Sequence, residues 1–151
     1  MPDIKLLDCT LRDGGLGLED AFINNLADIG FSKKDYSSTL DNLQKSNIDI
    51  IELGSIEITS DDRRRFAIFR DVESLSTVMH EHKNDSQLFV GMYRGPDTPV
   101  DKIPNWRHGL VDGIRVIIRY SELQKSLDFC AYLSEKGYKT FIQPMLTMRY
   151  T

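Results

Sequence analysis

The sequence predicts a parallel α/β fold, and three observations predict it. Short apolar runs alternate with amphipathic stretches of helical period. The connections between them are short, and the conspicuous polar residues gather where apolar runs end. A strand followed by a helix and another strand implies parallel pairing through right-handed crossovers, which are expected to cover the strands on both faces.

The first strand is expected at Ile4 to Leu7. It continues through Asp8-Cys9-Thr10-Leu11 into a polar exit loop, Arg12-Asp13-Gly14-Gly15. A helix starts at Ser32, because Ser32 and Asp35 have capping-box spacing and Phe31 with Tyr36 forms a hydrophobic staple. Its apolar stripe is Tyr36, Leu40 and Leu43. A second strand runs from Ile48 to Leu53 and ends at Gly54, and Asp71 caps a helix that turns Val72, Leu75, Met79 and His82 inward. A third strand spans Leu88 to Tyr93, followed by a proline-rich stretch to Pro104 with room for a short helix only. Ile114 to Ile118 is the fourth strand. Ser121 and Gln124 have capping-box spacing, Leu123, Leu127 and Cys130 share a helix face, and Gly137 stops that helix before a fifth strand at Lys139 to Gln143.

Composition narrows the functional classes. The 151 residues suffice for one domain, 1–151, with a sizeable core, and 40% hydrophobic with 28% charged residues is ordinary for a globular protein. No apolar stretch approaches a membrane-spanning length and Met1-Pro2-Asp3 opens no signal peptide, so a cytoplasmic protein without a membrane partner is expected. A net charge of -4 with scattered Lys and Arg gives no nucleic-acid footprint, and Arg63-Arg64-Arg65 reads as a solvated loop. Cys9 and Cys130 lack metal-ligand spacing and are read as reduced, buried thiols.

Two architectures fit this order: a complete five-stranded doubly wound sheet, or about the first five strands of a (β/α)₈ barrel that takes about 250 residues. The polar residues at strand ends, the absence of a phosphate-cradling glycine loop and an end at Met148-Arg149-Tyr150-Thr151 with no closing helix favour the barrel, cut before closure. Gly15-Leu16-Gly17 is a weak G-x-G. Open sheet edges then predict self-association into a homo-oligomer.

Arg12 and Asp13 leave a strand where a guanidinium and a carboxylate face one cavity. They read either as a turn-closing ion pair or as a site in which Asp13 ligates a hard cation and Arg12 stabilises developing negative charge. Glu52 interrupts an apolar strand and shares a face with Ile48 and Ile50, so it reads as a structural ion pair or as the partner of Arg12 at the barrel mouth. Arg94, Arg119 and Gln143, at other strand ends, are candidate substrate-binding residues. His80-Glu81-His82 is rejected as a metal pair, since residues two apart on a helix point to nearly opposite sides. His108 reads as a loop residue and Ser121 as a cap.

The stretch Leu6-Leu7-Asp8-Cys9-Thr10-Leu11-Arg12-Asp13-Gly14-Gly15, with Ile50-Ile51-Glu52-Leu53-Gly54, resembles the DRE-TIM metallolyases, the HMGL-like metal-dependent aldolases and lyases. The double glycine and Gly113-Ile114-Arg115-Val116 are most similar to the 4-hydroxy-2-oxovalerate aldolase branch. The resemblance implies catalytic Arg12 and Glu52, Asp13 as ligand to Mn or Mg, and a TIM barrel that cleaves a 4-hydroxy-2-oxo acid to pyruvate and an aldehyde. An acyl-CoA lyase or Claisen-type synthase is the alternative within the family, and a non-catalytic doubly wound binding domain the alternative outside it. An acylating aldehyde dehydrogenase partner is implied by the resemblance alone. Leu16 stands where those aldolases carry a catalytic histidine, and Arg119-Tyr120 where that branch has a histidine at the end of the fourth strand, a change that implies altered substrate contacts. Their His-x-His metal pair falls beyond residue 151, so the metal site is expected to be incomplete and the chain alone inactive.

Overall fold

The computed structural model describes residues 4–25, 31–57, 66–79, 86–93 and 103–149. Among the described residues, six strands, β1 (Leu7–Asp8), β2 (Ile50–Ile56), β3 (Ile68–Phe69), β4 (Leu88–Tyr93), β5 (Gly113–Ile118) and β6 (Lys139–Pro144), are joined by α-helices α1 (Thr10–Ile23) and α2 (Lys33–Lys45) between β1 and β2, α3 (Val72–Ser76) between β3 and β4, and α4 (Leu123–Glu135) between β5 and β6. All pairings are parallel in the order β1-β2-β4-β5-β6, with β3 paired to the end of β2, and the sheet curls as a half-barrel.

This order never reverses. Successive right-handed crossovers that step in one direction leave their helices on one face, whereas a doubly wound sheet needs a reversal. Leu40 of α2, Leu75 of α3, and Phe129 and Leu133 of α4 accordingly join one core with Ile51, Leu53, Ile56, Phe89, Ile114 and Val116. The expected cover on both faces is thus corrected: the described helices pack this core on one face, and the other carries Glu52, Met92 and Arg115.

The strand β2 changes phase midway. Glu52 pairs with Val90 and Gly54 with Gly91, which leaves Leu53 as an extra residue. Leu53 packs into the helix-side core, and a Cβ on Gly54 would lie 2.5 Å from Phe69 of that same core. Two successive residues therefore face the helices, and Ser55, paired with Met92, shares the opposite face with Glu52. The Leu53 carbonyl is satisfied by the Tyr36 hydroxyl, which donates to it at 2.7 Å.

Local signals that satisfy backbone groups were legible. Ser32 Oγ accepts from Asp35 N at 3.2 Å, Asp35 accepts from Ser32 N, and the Phe31 and Tyr36 rings pack 5.9 Å apart. Asp71 and Ser74 cap α3 reciprocally, although that helix has only five residues. Gly137, at φ +94°, ends α4.

Other boundaries moved. The first strand is Leu7–Asp8, and Ile4 and Leu6 are exposed. Arg12 to Gly15 is the first half of α1, because Asp8 accepts from both Thr10 N (2.9 Å) and Thr10 Oγ1 (3.1 Å) and starts a helix there. Glycine costs a helix about 1 kcal/mol, yet a Cβ on Gly15 would sit 3.0 Å from two Phe31 ring atoms, so packing overrides propensity. The Ser121 cap is replaced by a 3₁₀ turn at Tyr120–Glu122. The buried face of α4 is then Ser126, Phe129, Cys130 and Leu133, leaving Leu123 and Leu127 partly exposed. Arg63 to Arg65, His80 to His82 and Arg94 lie outside the described residues. Among the described residues no helix is long and apolar enough to cross a membrane.

Candidate functional site

Strand β1 ends level with Ile51, so the chain leaving it turns into α1 above Glu52. Arg12 lies in the first turn of that helix. Its Nε donates to Glu52 Oε1, while its two terminal nitrogens meet the two oxygens of Asp13, Nη2 donating to Oδ2 at 3.0 Å. Arg12, Asp13 and Glu52 therefore converge as the sequence predicts.

A fourth side chain completes the group. Arg115, in β5, crosses over Met92 and grips Glu52 side-on: Nε donates to Oε2 and Nη2 to Oε1, the latter at 2.8 Å. The two guanidiniums thus meet at one oxygen. Glu52 is 0% exposed, and the side chains of Arg12 and Arg115 are 11% and 12% exposed. Asp13, at 58%, is the exposed member. Burial works against the Arg12 charge, but the hydrogen bond and charge of Glu52, aided by Asp13, outweigh it and raise its pKa.

Arg115 was not singled out as a site residue. The signal was present, since it breaks the apolar run Ile114 to Ile118 as Glu52 breaks its own strand. Parallel register then sets Met92 beside it and puts Glu52 within reach.

The remaining candidates stand apart. Arg119 leaves β5 and pairs with Glu122 at 3.2 Å, with its side chain 48% exposed. Gln143, in β6, points Nε2 to Met145 Sδ at 3.8 Å, and its Oε1 is buried with no partner among the described residues. Ser55 is fully buried, and its hydroxyl likewise has no partner among the described residues. His108 is exposed in a turn.

Cys130 is buried and free, and burial pushes its thiol pKa up. Cys9 is only half-buried; burial, then its hydrogen bond to Asp13 at 3.2 Å, raises its pKa.

The fit to a divalent ion is poor. Among the described residues no group of three or more His, Cys, Asp and Glu side chains gathers as a ligand set. Asp13, the expected ligand, has both oxygens engaged by Arg12. A cation would have to break that ion pair and find its other ligands elsewhere.

No family model matches the sequence, and no curated protein matches it. A solved structure does: the "N-terminal domain of a putative aldolase" from Bacteroides vulgatus, with a TM-score of 0.57 and 19% identity. The match covers 97% of this chain and 46% of that one, so the chain spans less than half the length of the structure it resembles. At that identity the likeness is one of fold.

Proposed function

We propose that the chain forms the enolate-facing part of a carbon-carbon lyase that cleaves a 4-hydroxy-2-oxo acid to pyruvate and an aldehyde. One observation carries the reading: a guanidinium, Arg12, just past the C-terminal end of β1 in a half-barrel, held by a buried carboxylate. In barrel enzymes that end holds the chemistry, and a fixed cation there stabilises an oxyanion without reorganising.

The reaction asks for such a group. A base takes the 4-hydroxyl proton, the C3–C4 bond breaks, C4 becomes the aldehyde carbon, and the electron pair moves to C3 and the C2 oxygen as an enolate. Arg12 is positioned to stabilise that oxygen, and Glu52 holds the guanidinium by its Nε. Protonation at C3 gives pyruvate. Leu16 supplies no base at the position where the resemblance implies one. No step is routed through a metal; dependence on Mn or Mg is part of what is tested. The full engagement of Arg12 and Asp13 with each other favours a second reading, a purely structural ion cluster.

The deciding experiment couples pyruvate release to lactate dehydrogenase. The product of the full reading frame is supplied with 4-hydroxy-2-oxopentanoate and longer homologues, in Mn, Mg or EDTA. Pyruvate should form, and Arg12→Lys should lower kcat by about 10² to 10³. No pyruvate with any of these substrates selects the structural reading.

A further inference from the structure

Glu52 alone does not balance the two guanidiniums that it holds. Two guanidiniums, Arg12 and Arg115, share one buried carboxylate, and the other carboxylate paired with them among the described residues is Asp13, on the surface and on Arg12. Each has little solvent of its own to disperse the excess. The Nη1 group of Arg115 makes no hydrogen bond among the described residues, although the other nitrogens of that guanidinium are all engaged. On the same face Ser55 is completely buried with a hydroxyl that has no partner among the described residues, as the next side chain of β2 to face that way beyond Glu52. Fixed positive charge and unused donors therefore lie on one face of the sheet, and the carboxylate on the terminal nitrogens of Arg12 is the exposed Asp13.

We propose that Arg115 is a second anion-binding guanidinium, which receives a small carboxylate alongside Arg12 in exchange for Asp13. The proposal rests on the 2-oxo acid reading in one respect only, the choice of a carboxylate as the ligand. Geometry separates two roles on Arg115. Its Nε and Nη2 fork onto Glu52 and fix the guanidinium plane, and Nη1 on the remaining edge is left for a ligand. Asp13 stands in for that ligand on Arg12, gripping both terminal nitrogens as an incoming carboxylate would. The exchange makes and breaks no covalent bond: a carboxylate enters, and Asp13 turns to water, where it is already more than half exposed.

The test is calorimetric titration of sodium oxalate, a planar stand-in for a 2-oxo acid, into the 151-residue chain at fixed ionic strength. One oxalate should bind per chain. Arg115→Met should weaken it by about ten- to a hundredfold, the loss of a charge-assisted hydrogen bond, and Arg115→Lys should recover part. Asp13→Asn, on the surface, should bind oxalate severalfold more tightly because the internal competitor is gone; this arm needs no change in the buried cluster. Oxalate bound by neither the parent nor Asp13→Asn, oxalate bound equally by Arg115→Met, or weaker binding by Asp13→Asn overturns the proposal. Absence of pyruvate release with oxalate binding intact and dependent on Arg115 overturns the lyase reading alone and supports the anion site. Pyruvate release with no dependence of oxalate binding on Arg115 does the reverse.

Discussion

Replacing Glu52 by glutamine keeps its shape and removes its charge. The carboxylate accepts three hydrogen bonds from two guanidiniums, on both of its oxygens. An amide keeps one acceptor and turns an NH₂ group toward a donor, so one guanidinium loses its partner. Arg12 and Arg115 then face each other with Asp13 as the nearby countercharge, and Asp13 is 58% exposed. Breaking a buried ion pair from one side costs about 3–5 kcal/mol, a large share of a total stability on the order of 5–15 kcal/mol. At about 2–4 °C per kcal/mol for a chain of this size, the melting temperature should fall by roughly 6–20 °C. With a urea m-value near 2 kcal/mol/M, the midpoint should fall by roughly 2 M. Differential scanning calorimetry and urea titration read both. Adding Arg115→Met removes the surplus cation, so the double variant should be about 1–3 kcal/mol more stable than the sum of the two single effects. A Glu52→Gln protein within about 0.5 kcal/mol of the parent, or strictly additive single variants, would refute a buried carboxylate shared by two cations.

Three further outcomes follow from other parts of the structure. Gly54→Ala would place a Cβ 2.5 Å from the Phe69 ring and 3.2 Å from the Ala67 carbonyl, so it should cost about 1–3 kcal/mol, read as a lower melting temperature; an unchanged value would mean that the ring is free to retreat. Tyr138 donates to the Pro104 carbonyl at 3.0 Å, and burial, with the Glu73 charge behind it, pushes its pKa from 10.0 to about 12. Its contribution to stability is complete below pH 10 and is lost as pH rises towards 12, so urea midpoints should fall across that window and Tyr138→Phe should flatten the fall. Ile142, Leu146 and Met148 are 51%, 64% and 92% exposed around the open β6 edge, so light scattering should find dimers or larger species and Ile142→Lys should reduce them; a monomeric parent would refute this.

The fold was legible wherever one local rule acted alone. Leu88 to Tyr93 is read to the residue because an apolar run between polar neighbours permits little else, and Ser32 with Asp35 announces α2 by satisfying its first amides. Helix α1 was hidden because Gly14, Gly15 and Gly17 imitate a loop; the reason for Gly15 is Phe31, sixteen residues later, a contact that propensity does not see. Strand β3, two residues long, is too short to have a period. In the candidate site, Arg12, Asp13 and Glu52 stood out as charges beside apolar residues. Arg115 escaped because its meaning depends on the register that carries it over Met92 to Glu52.

The extra residue at Leu53 has a further consequence, for how β2 tolerates change in length. It acts as a frame shift in space: residues before it and after it obey opposite parities, so Glu52 and Ser55 face one way although three positions separate them. Deleting Leu53 alone would restore simple alternation and leave the remaining residues on their present faces, Glu52 and Ser55 on the charged side and Gly54 and Ile56 towards the helices. Deleting Leu53 and Gly54 together would instead invert everything downstream, turning Ile56 to the charged face and Ser55 into the core. The strand should therefore accept the loss of its one extra residue far more readily than the loss of two, because the ladder already runs past Leu53 from Glu52 to Gly54.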